Sequence, residues 1–198
     1  MERSKEDFAE KYLTSNFLIR FLLRRFFNQI QKILSEINFK KVLEVGCGPG
    51  FSTQYLKEFL KDKDFEASEF REDLVKEAQK NNPEVKICQE SIYELKRESN
   101  SFDLIIAFEV LEHLEKPEIA LKELQRVTSK YCLLSVPNEP LWRILNICRL
   151  KYLKNFGNTP GHLQHWSKKE FQKLVNKYFE IVKIKIPLPW QIILAKKY

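Results

Sequence analysis

The sequence has few glycines, few histidines and no long apolar run. Its 198 residues include five Gly, three His and one Met. No apolar run approaches the roughly 20 residues that span a bilayer, and the charged start, residues 1–13, does not fit a secretory leader. A chain of this length is also too short for two ordinary domains. We therefore expect a single cytoplasmic domain.

Cysteine is present but gives no pattern of a disulfide framework or a zinc site. The four residues are irregularly spaced, and most stand inside apolar runs: Cys47, Cys88, Cys132 and Cys148. Such cysteines are usually small buried side chains. We expect them to be structural.

The hydrophobic periodicity alternates between helix and strand. Residues 16–37 form one amphipathic helical pattern, and β-rich runs follow at 42–45, 64–68, 85–88, 102–107 and 131–136. Helical patterns separate most of these runs, which predicts an α/β fold with a parallel sheet and helices on both faces. At the end, residues 178–186 and 190–196 flank Pro-Leu-Pro and predict an antiparallel C-terminal hairpin.

Three of the five glycines stand at alternate positions after an apolar run. Gly46, Gly48 and Gly50 follow G-x-G-x-G, which differs from the G-x-G-x-x-G of dinucleotide sites, and no Lys-Ser or Lys-Thr pair follows as in a P-loop. Glu44, just ahead, would repel a pyrophosphate but suits an ammonium group. The open glycine backbone would let a carboxylate or a ribose come close. The alternative is a tight strand-to-helix turn without a ligand.

Three stretches in this order resemble the class I S-adenosylmethionine-dependent methyltransferases, in particular the methyltransferase type 11 group. They are VLEVGCGPG, SFDLIIAFEVLEHLEKPEIALKEL and LLSVPNEP. The resemblance covers nearly the whole chain and includes the ubiquinone-biosynthesis O-methyltransferases. It implies a Rossmann-like, seven-stranded, mostly parallel sheet. It also implies that the glycine loop, including Cys47, receives the methionine part of S-adenosylmethionine.

The resemblance assigns further cofactor contacts by position. Glu69 stands where the family places an acid that accepts hydrogen bonds from both ribose hydroxyls, although the usual residue is aspartate. Phe70 would lie against the adenine face. Glu90 and Ser91 occupy the place where the adenine edge is recognised. Phe108 and the backbone around Glu109 would border the methyl group.

The stretch EVLEH, residues 109–113, holds one histidine, and the other two lie in GHLQH, residues 161–165. The pattern resembles the E-x-x-E-H plus distant histidine that binds a metal in small-RNA 2′-O-methyltransferases. It implies that Glu109, Glu112, His113 and His162 bind a divalent cation such as magnesium, manganese or zinc. Alternatively, His113 or His162 is a general base, with His165 as a further catalytic candidate, because histidine titrates near neutral pH. In a third interpretation the histidine only packs.

The net charge of +7 gives information on the kind of binding partner rather than on the fold. The predicted first helix and the segment LWRILNICRLKYLK, residues 141–154, are basic and amphipathic. Their bases are Arg20, Arg24, Arg25, Lys32, Arg143, Arg149, Lys151 and Lys154. Such helices can lie on an anionic membrane surface or bind a phosphate backbone, or they can simply leave a basic face in water. A peripheral membrane contact is therefore open, and nucleic acid is the less favoured partner.

The resulting expectation is a single methyltransferase domain over residues 1–198. Its parts are an N-terminal helical lid (1–38), a cofactor-binding core (39–137), a substrate lid (138–166) and a C-terminal helix and hairpin (167–198). No N/D-P-P-Y/F signature of nucleobase amino-methylation follows the fourth strand, which favours an oxygen acceptor on a small apolar or lipid-like isoprenoid molecule. The alternatives are an RNA ribose 2′-O-methyltransferase and a non-catalytic cofactor-binding subunit.

Overall fold

The computed structural model describes residue 12, residues 14–148, residue 150 and residues 152–198, without the side chain of residue 154. Predictions for residues 1–11, Arg149, Lys151 and the Lys154 side chain lie outside this part. The helices are α1 Phe17–Ser35, α2 Phe51–Phe59, α3 Glu72–Asn81, α4 Pro117–Val127, α5 Leu141–Cys148 and α6 Lys168–Val175. The strands are β1 Lys41–Val45, β2 Asp64–Glu69, β3 Lys86–Gln89, β4 Phe102–Phe108, β5 Thr128–Pro137, β6 Phe179–Lys185 and β7 Trp190–Lys197. Two 3₁₀ turns span Leu111–His113 and Leu153–Asn155.

The strands form one seven-stranded sheet in the order β3-β2-β1-β4-β5-β7-β6. Strands β1 to β5 pair in parallel, and β7 pairs antiparallel with both β5 and β6. The predicted Rossmann-like α/β sheet with its C-terminal hairpin is confirmed. The strand order reverses between β1 and β4, and ligands of such sheets bind at the carboxyl ends of the strands beside this point.

Two cores cover the two faces of the sheet. Alternating residues of β4 point to opposite sides, because side chains of a strand have a period of two. Ile105 and Ala107 join the core under α4 and α6, whereas Leu104, Ile106 and Phe108 join the core under α1. Two of the described helices begin at a capping side chain: at α1, Asn16 accepts from the N–H groups of Leu18 and Ile19, and Ser167 and Glu170 form a capping box at α6.

The first helix packs on the sheet rather than over the cavity described below. Its apolar face is buried in the core that includes β1, β4 and β7, through Leu23, Phe26, Phe27, Ile30, Ile33 and Leu34. No described residue of α1 lines the cavity. Burial of its apolar stripe fixes α1 against the sheet, and the N-terminal lid over residues 1–38 stays a prediction.

The four cysteines, all in the described part of the chain, are free thiols. Cys47 and Cys132 are buried, and burial raises the pKa of both thiols. Among the described helices, none has the length and apolar character needed to cross a bilayer.

Candidate functional site

A cavity of about 430 Å³ opens at the carboxyl ends of the parallel strands. Five segments line it, and they follow β1, β2, β3 and β4 or come from the loop between α5 and α6. The lining residues are Val45, Gly46, Glu69, Phe70, Arg71, Glu90, Ser91, Ile92, Tyr93, Glu109, Val110, His113, Leu114, Gly161 and Leu163. The cavity thus combines predicted cofactor residues with one of the predicted catalytic histidines.

The glycine loop turns sharply between β1 and α2. Gly46, Gly48 and Gly50 all have positive φ, at 75°, 57° and 84°, a region that residues with a side chain rarely adopt. A Cβ on Gly50 would lie 2.4 Å from the Asn82 side-chain nitrogen and 3.1 Å from the Cα of Ala78. Gly50 therefore allows α2 and α3 to pack closely, while Gly46 lines the cavity itself.

Glu44 lies behind the loop and not in the cavity lining. It is 1% exposed, and its carboxylate accepts hydrogen bonds from the hydroxyls of Ser52 (2.5 Å) and Thr53 (2.7 Å) in α2. The first turn of α2 thus encloses the carboxylate, and the contact of Glu44 with a ligand ammonium stays a prediction. Burial raises the pKa of Glu44 from 4.5 to about 7.

This buried acid makes a testable contribution to pH-dependent stability. The pKa of the Glu44 carboxyl is higher in the folded than in the unfolded protein. The neutral carboxyl therefore stabilises the folded state fully below about pH 4.5, and this stabilisation is lost as the pH rises through about 7. Each pKa unit corresponds to about 1.4 kcal/mol. In urea titrations, we compare the free energy of unfolding of Glu44→Gln with that of the natural protein at each pH. We expect this difference to shift in favour of the variant by about 2 kcal/mol from pH 5 to pH 8.

The matched control for this measurement is Glu72→Gln. Glu72 is exposed beside Lys76, whose ammonium lowers the pKa of the Glu72 carboxyl. This variant should show no relative gain at the higher pH. Parallel pH profiles of Glu44→Gln and the natural protein would contradict the role given to Glu44.

Glu69 connects the end of β2 to the glycine loop. One carboxylate oxygen accepts from the N–H of Gly48 at 2.9 Å, and the other accepts from the N–H groups of Phe70 (2.8 Å) and Arg71 (3.0 Å). The extra methylene of glutamate, compared with aspartate, gives the side chain additional reach towards the loop. Glu69 lines the cavity, as does Phe70, whose side chain is 67% exposed. Ribose and adenine contacts remain predictions for these two residues.

Glu90 and Ser91 also line the cavity. Glu90 is held by the guanidinium of Arg97, whose Nε lies 3.0 Å from one carboxylate oxygen, and Arg97 also binds Glu66 at 2.7 Å. No sequence signal connects residues 90 and 97. Adenine recognition by Glu90 and Ser91 stays a prediction, with Arg97 as the group that orients Glu90.

The two residues at the end of β4 differ in their surroundings. Phe108 packs edge-on against Phe26 of α1 at 5.4 Å and is not in the cavity lining, so its contact with a methyl group stays a prediction. Glu109 lines the cavity with a left-handed φ of 58°. Its carboxylate accepts a hydrogen bond of 2.9 Å from the Trp190 indole, so it faces β7.

Three of the four predicted metal ligands come together. Glu112, His113 and His162 each offer a ligand atom, and these atoms lie within 4.8 Å of one another. Glu112 is 1% and His162 is 5% exposed. The His113 Nδ1 lies 2.7 Å from the carbonyl oxygen of Gly161. Because a carbonyl only accepts, Nδ1 carries a proton and Nε2 of the neutral ring keeps its lone pair.

The loop after α5 is attached to the 3₁₀ turn that carries this cluster. The N–H groups of Leu163 (2.8 Å) and Gln164 (3.0 Å) both donate to the Glu112 carbonyl. These bonds bring His162 against His113, with ring centroids 4.9 Å apart. His165 lies elsewhere in the loop, with Nδ1 3.6 Å from the Glu139 carboxylate. We define the Glu112, His113 and His162 side chains as the histidine cluster.

Comparison with known proteins agrees with this architecture. Residues 43–135 match the family model described as a methyltransferase domain. An uncharacterized methyltransferase of Schizosaccharomyces pombe is 37% identical in an alignment of length 102 that covers 44% of this chain and 36% of the relative. The chain thus spans about a third of the length of that relative.

Solved structures share the fold at low sequence identity. A protein from Pyrococcus horikoshii superposes with a TM-score of 0.71 at 17% identity, covering 93% of each chain. The magnesium protoporphyrin IX methyltransferase of Synechocystis, solved with bound S-adenosylhomocysteine, gives 0.68 at 17% identity over 93% of this chain and 89% of that chain. A methyltransferase from Aquifex aeolicus gives 0.65 at 18% identity over 85% and 89%. With the strand order, the glycine loop and the matched family model, residues 43–135 of this chain form a methyltransferase domain of the class I S-adenosylmethionine-dependent fold.

Proposed function

We propose that this protein transfers the methyl group of S-adenosylmethionine to an oxygen of a small apolar or lipid-like acceptor. The observation that carries the proposal is the cavity itself. Its lining brings Gly46 of the glycine loop and Glu69 together with His113 and several apolar side chains. Cofactor and acceptor would meet within this single space.

The residues around the glycine loop are suited to the cofactor. A carboxylate offers about four acceptor positions, and Glu69 uses three of them for backbone N–H groups. The oxygen that faces Gly48 keeps acceptor capacity for a ribose hydroxyl. The exposed Phe70 ring offers an apolar face for adenine. When bound, the cofactor supplies an electrophilic methyl group, so the protein mainly orients the acceptor and accepts its proton.

Much of the cavity lining is apolar. Ile92, Val110, Leu114 and Leu163 line it together with His113. Apolar walls with few polar groups are typical of sites for small organic molecules. This arrangement supports an acceptor whose hydroxyl is oriented towards His113 while its apolar part contacts the walls.

The histidine cluster supports a divalent cation as a component of this site. Its ligand atoms are close and buried, and the hydrogen bond from His113 to the Gly161 carbonyl matches the outer contact that orients metal-binding histidines. A bound cation would lower the pKa of the acceptor hydroxyl. Glu109 is not among the residues whose ligand atoms lie within 4.8 Å of one another, and one of its carboxylate oxygens accepts from the Trp190 indole.

The same geometry supports His113 as a general base without a cation. Its Nδ1–H donates to the Gly161 carbonyl, and its buried Nε2 lies 4.0 Å from the Glu112 carboxylate, which would stabilise a proton taken up there. His113 borders the cavity, whereas Glu112 and His162 stand behind it. The two chemistries are separated by the metal experiment in the Discussion.

Incubation of the purified protein with methyl-labelled cofactor and whole lipid and RNA extracts tests the proposal. We expect label in the organic phase, and strong loss of label with Glu69→Ala. Label confined to RNA would instead favour ribose 2′-O-methylation. Cofactor binding without label in either extract would favour a non-catalytic subunit.

A further inference from the structure

The segment after β5 folds with its polar side inward and its apolar side outward. Asn146 is the buried residue of α5, at 4% exposed, and its amide donates to the Gly157 carbonyl (2.9 Å) and the Thr159 hydroxyl (3.1 Å). The Trp142 indole donates to the same hydroxyl at 2.9 Å. A Cβ on Gly157 would lie 2.3 Å from the Arg143 carbonyl, so the chain returns closely against α5.

The outer side of this ordered segment is a set of large aliphatic and aromatic side chains. They are between 36% and 78% exposed, and we name them the apolar lid face: Ile144, Leu145, Ile147, Leu150, Leu153 and Phe156. Single exposed apolar residues are ordinary, but a group on one element marks an interaction surface. An amphipathic helix normally turns this side to the core.

The first turns of α1 expose a second apolar group near the same end of the sheet. Phe17, Leu18 and Phe21 are 82%, 61% and 46% exposed. Phe26, two turns later, contacts Trp190, and Trp190 contacts Trp142 of α5, with centroids 5.1 and 6.1 Å apart. Trp190 pairs with Pro137 at the carboxyl end of β5.

Both segments are also free of acidic residues. Residues 17–35 and 141–157 together hold eight Lys and Arg and no Asp or Glu. The whole chain has a net charge of +7, so the rest of it is close to neutral. In the described part, Arg20, Arg24 and Arg25 are exposed on α1. The apolar residues at the start of α1 are thus accompanied by exposed arginines, and the sequence of the lid segment adds four bases.

We propose that the apolar lid face and the first turns of α1 dock together on an anionic lipid bilayer. Aliphatic side chains can enter the acyl boundary while arginines remain at the headgroups, which is how basic amphipathic helices bind membranes. Nucleic acid is less suited to this surface, because single strands bind mainly by stacking on aromatic rings, and most of the lid face is aliphatic. The site opening lies beside the same segment, since Leu163 lines the cavity and is 53% exposed.

Vesicle flotation of the full chain tests the proposal. The vesicles contain phosphatidylcholine alone or with about one third phosphatidylserine. We expect binding to the anionic vesicles that weakens with added salt, and much weaker binding to the neutral ones. Absence of binding to anionic vesicles at low salt would overturn the proposal.

Two double variants separate the apolar and the basic contributions. Ile144→Glu with Leu153→Glu changes two exposed residues in helical backbone and should reduce partitioning at least about tenfold. Arg24→Gln with Arg25→Gln should reduce it by about fivefold per base. The matched control, Lys76→Gln with Lys80→Gln, removes the same charge from α3 and should have much less effect.

Other outcomes identify a different occupant. If the Arg24→Gln/Arg25→Gln variant and the Lys76→Gln/Lys80→Gln control lose the same amount of vesicle binding, the attraction is unspecific and the proposal is overturned. Self-association of the natural protein in sedimentation, abolished in the Ile144→Glu/Leu153→Glu variant, would also overturn the proposal. A second copy of the chain would then cover the lid face. Unchanged melting temperature and cofactor binding show that each variant is folded. If the glutamate variant does not fold, Ile144→Ser with Leu153→Ser replaces it.

Discussion

Replacement of His162 by alanine is expected to lower methyl transfer by about 100-fold or more while cofactor affinity stays nearly unchanged. His162 belongs to the histidine cluster but does not line the cavity, so its loss should affect the acceptor side alone. If the cluster holds a cation, a chelator should remove activity, and added magnesium, manganese or zinc should restore it. Activity against a labelled acceptor and calorimetry with the cofactor measure the two effects.

Direct metal binding gives a readout independent of turnover. Cobalt bound to the cluster should produce an absorption spectrum in the natural protein that is absent in His162→Ala. His165→Ala is the matched control, because His165 pairs with Glu139 outside the cluster, and it should retain the spectrum. Full activity in chelator, with no retained cobalt, would exclude the metal and leave His113 as general base, with a pH profile limited by a histidine.

If the histidines only pack, the melting temperature and the rate should respond together. His162 also stacks near Trp142, with centroids 6.1 Å apart, so alanine could loosen the loop. In that case the melting temperature would fall in parallel with the rate, and metal addition would change neither. A rate loss at constant melting temperature would instead support a chemical role.

Glu69→Ala is expected to weaken S-adenosylmethionine binding by about 10- to 100-fold. Loss of a hydrogen bond to a charged group costs about 1.5 to 3 kcal/mol, and each 1.4 kcal/mol is about tenfold in affinity. The variant also removes the acceptor of three backbone N–H groups that shape the loop. Calorimetry measures the affinity, and a melting curve measures the loss of stability.

Two variants sharpen the test of Glu69. Glu72→Ala removes an exposed acid three residues later, outside the cavity lining, and should leave affinity unchanged. Glu69→Asp keeps the charge but shortens the side chain, so we expect an intermediate loss through the weaker bond to Gly48. Unchanged affinity in Glu69→Ala would remove Glu69 from the cofactor site.

The sequence predicts the sheet well because its strands are buried and its helices are amphipathic. Boundaries move by a few residues, as for the first helix, predicted at 16–37 and observed at Phe17–Ser35. Side-chain direction was less predictable. The two-residue period of β4 places Phe108 with Leu104 and Ile106, and this signal was present in the sequence. The enclosure of Glu44 could not be predicted from the sequence, because it depends on the position of Ser52 and Thr53 in α2.

Distant pairs and exposed faces also escaped prediction. Arg97 binds Glu90 and Glu66 through the packing of separate segments, which no local pattern shows. The apolar side of α5 would be assigned to the core by periodicity, yet Asn146 is the residue that is buried. Side-chain hydrogen bonds to Gly157 and Thr159 decide this orientation, and they form only after the chain has turned back.

The hydrogen bonds between the 159–166 loop and the Glu112 carbonyl couple the position of the loop to the geometry of the histidine cluster. The same backbone groups that close the loop, Leu163 and Gln164, also place His162 in the cluster, and Gly161 orients His113. Opening of the loop would break these bonds and take His162 out of the cluster. Entry of an acceptor and methyl transfer would then be separate steps, and the rate of loop opening would set an upper limit on turnover.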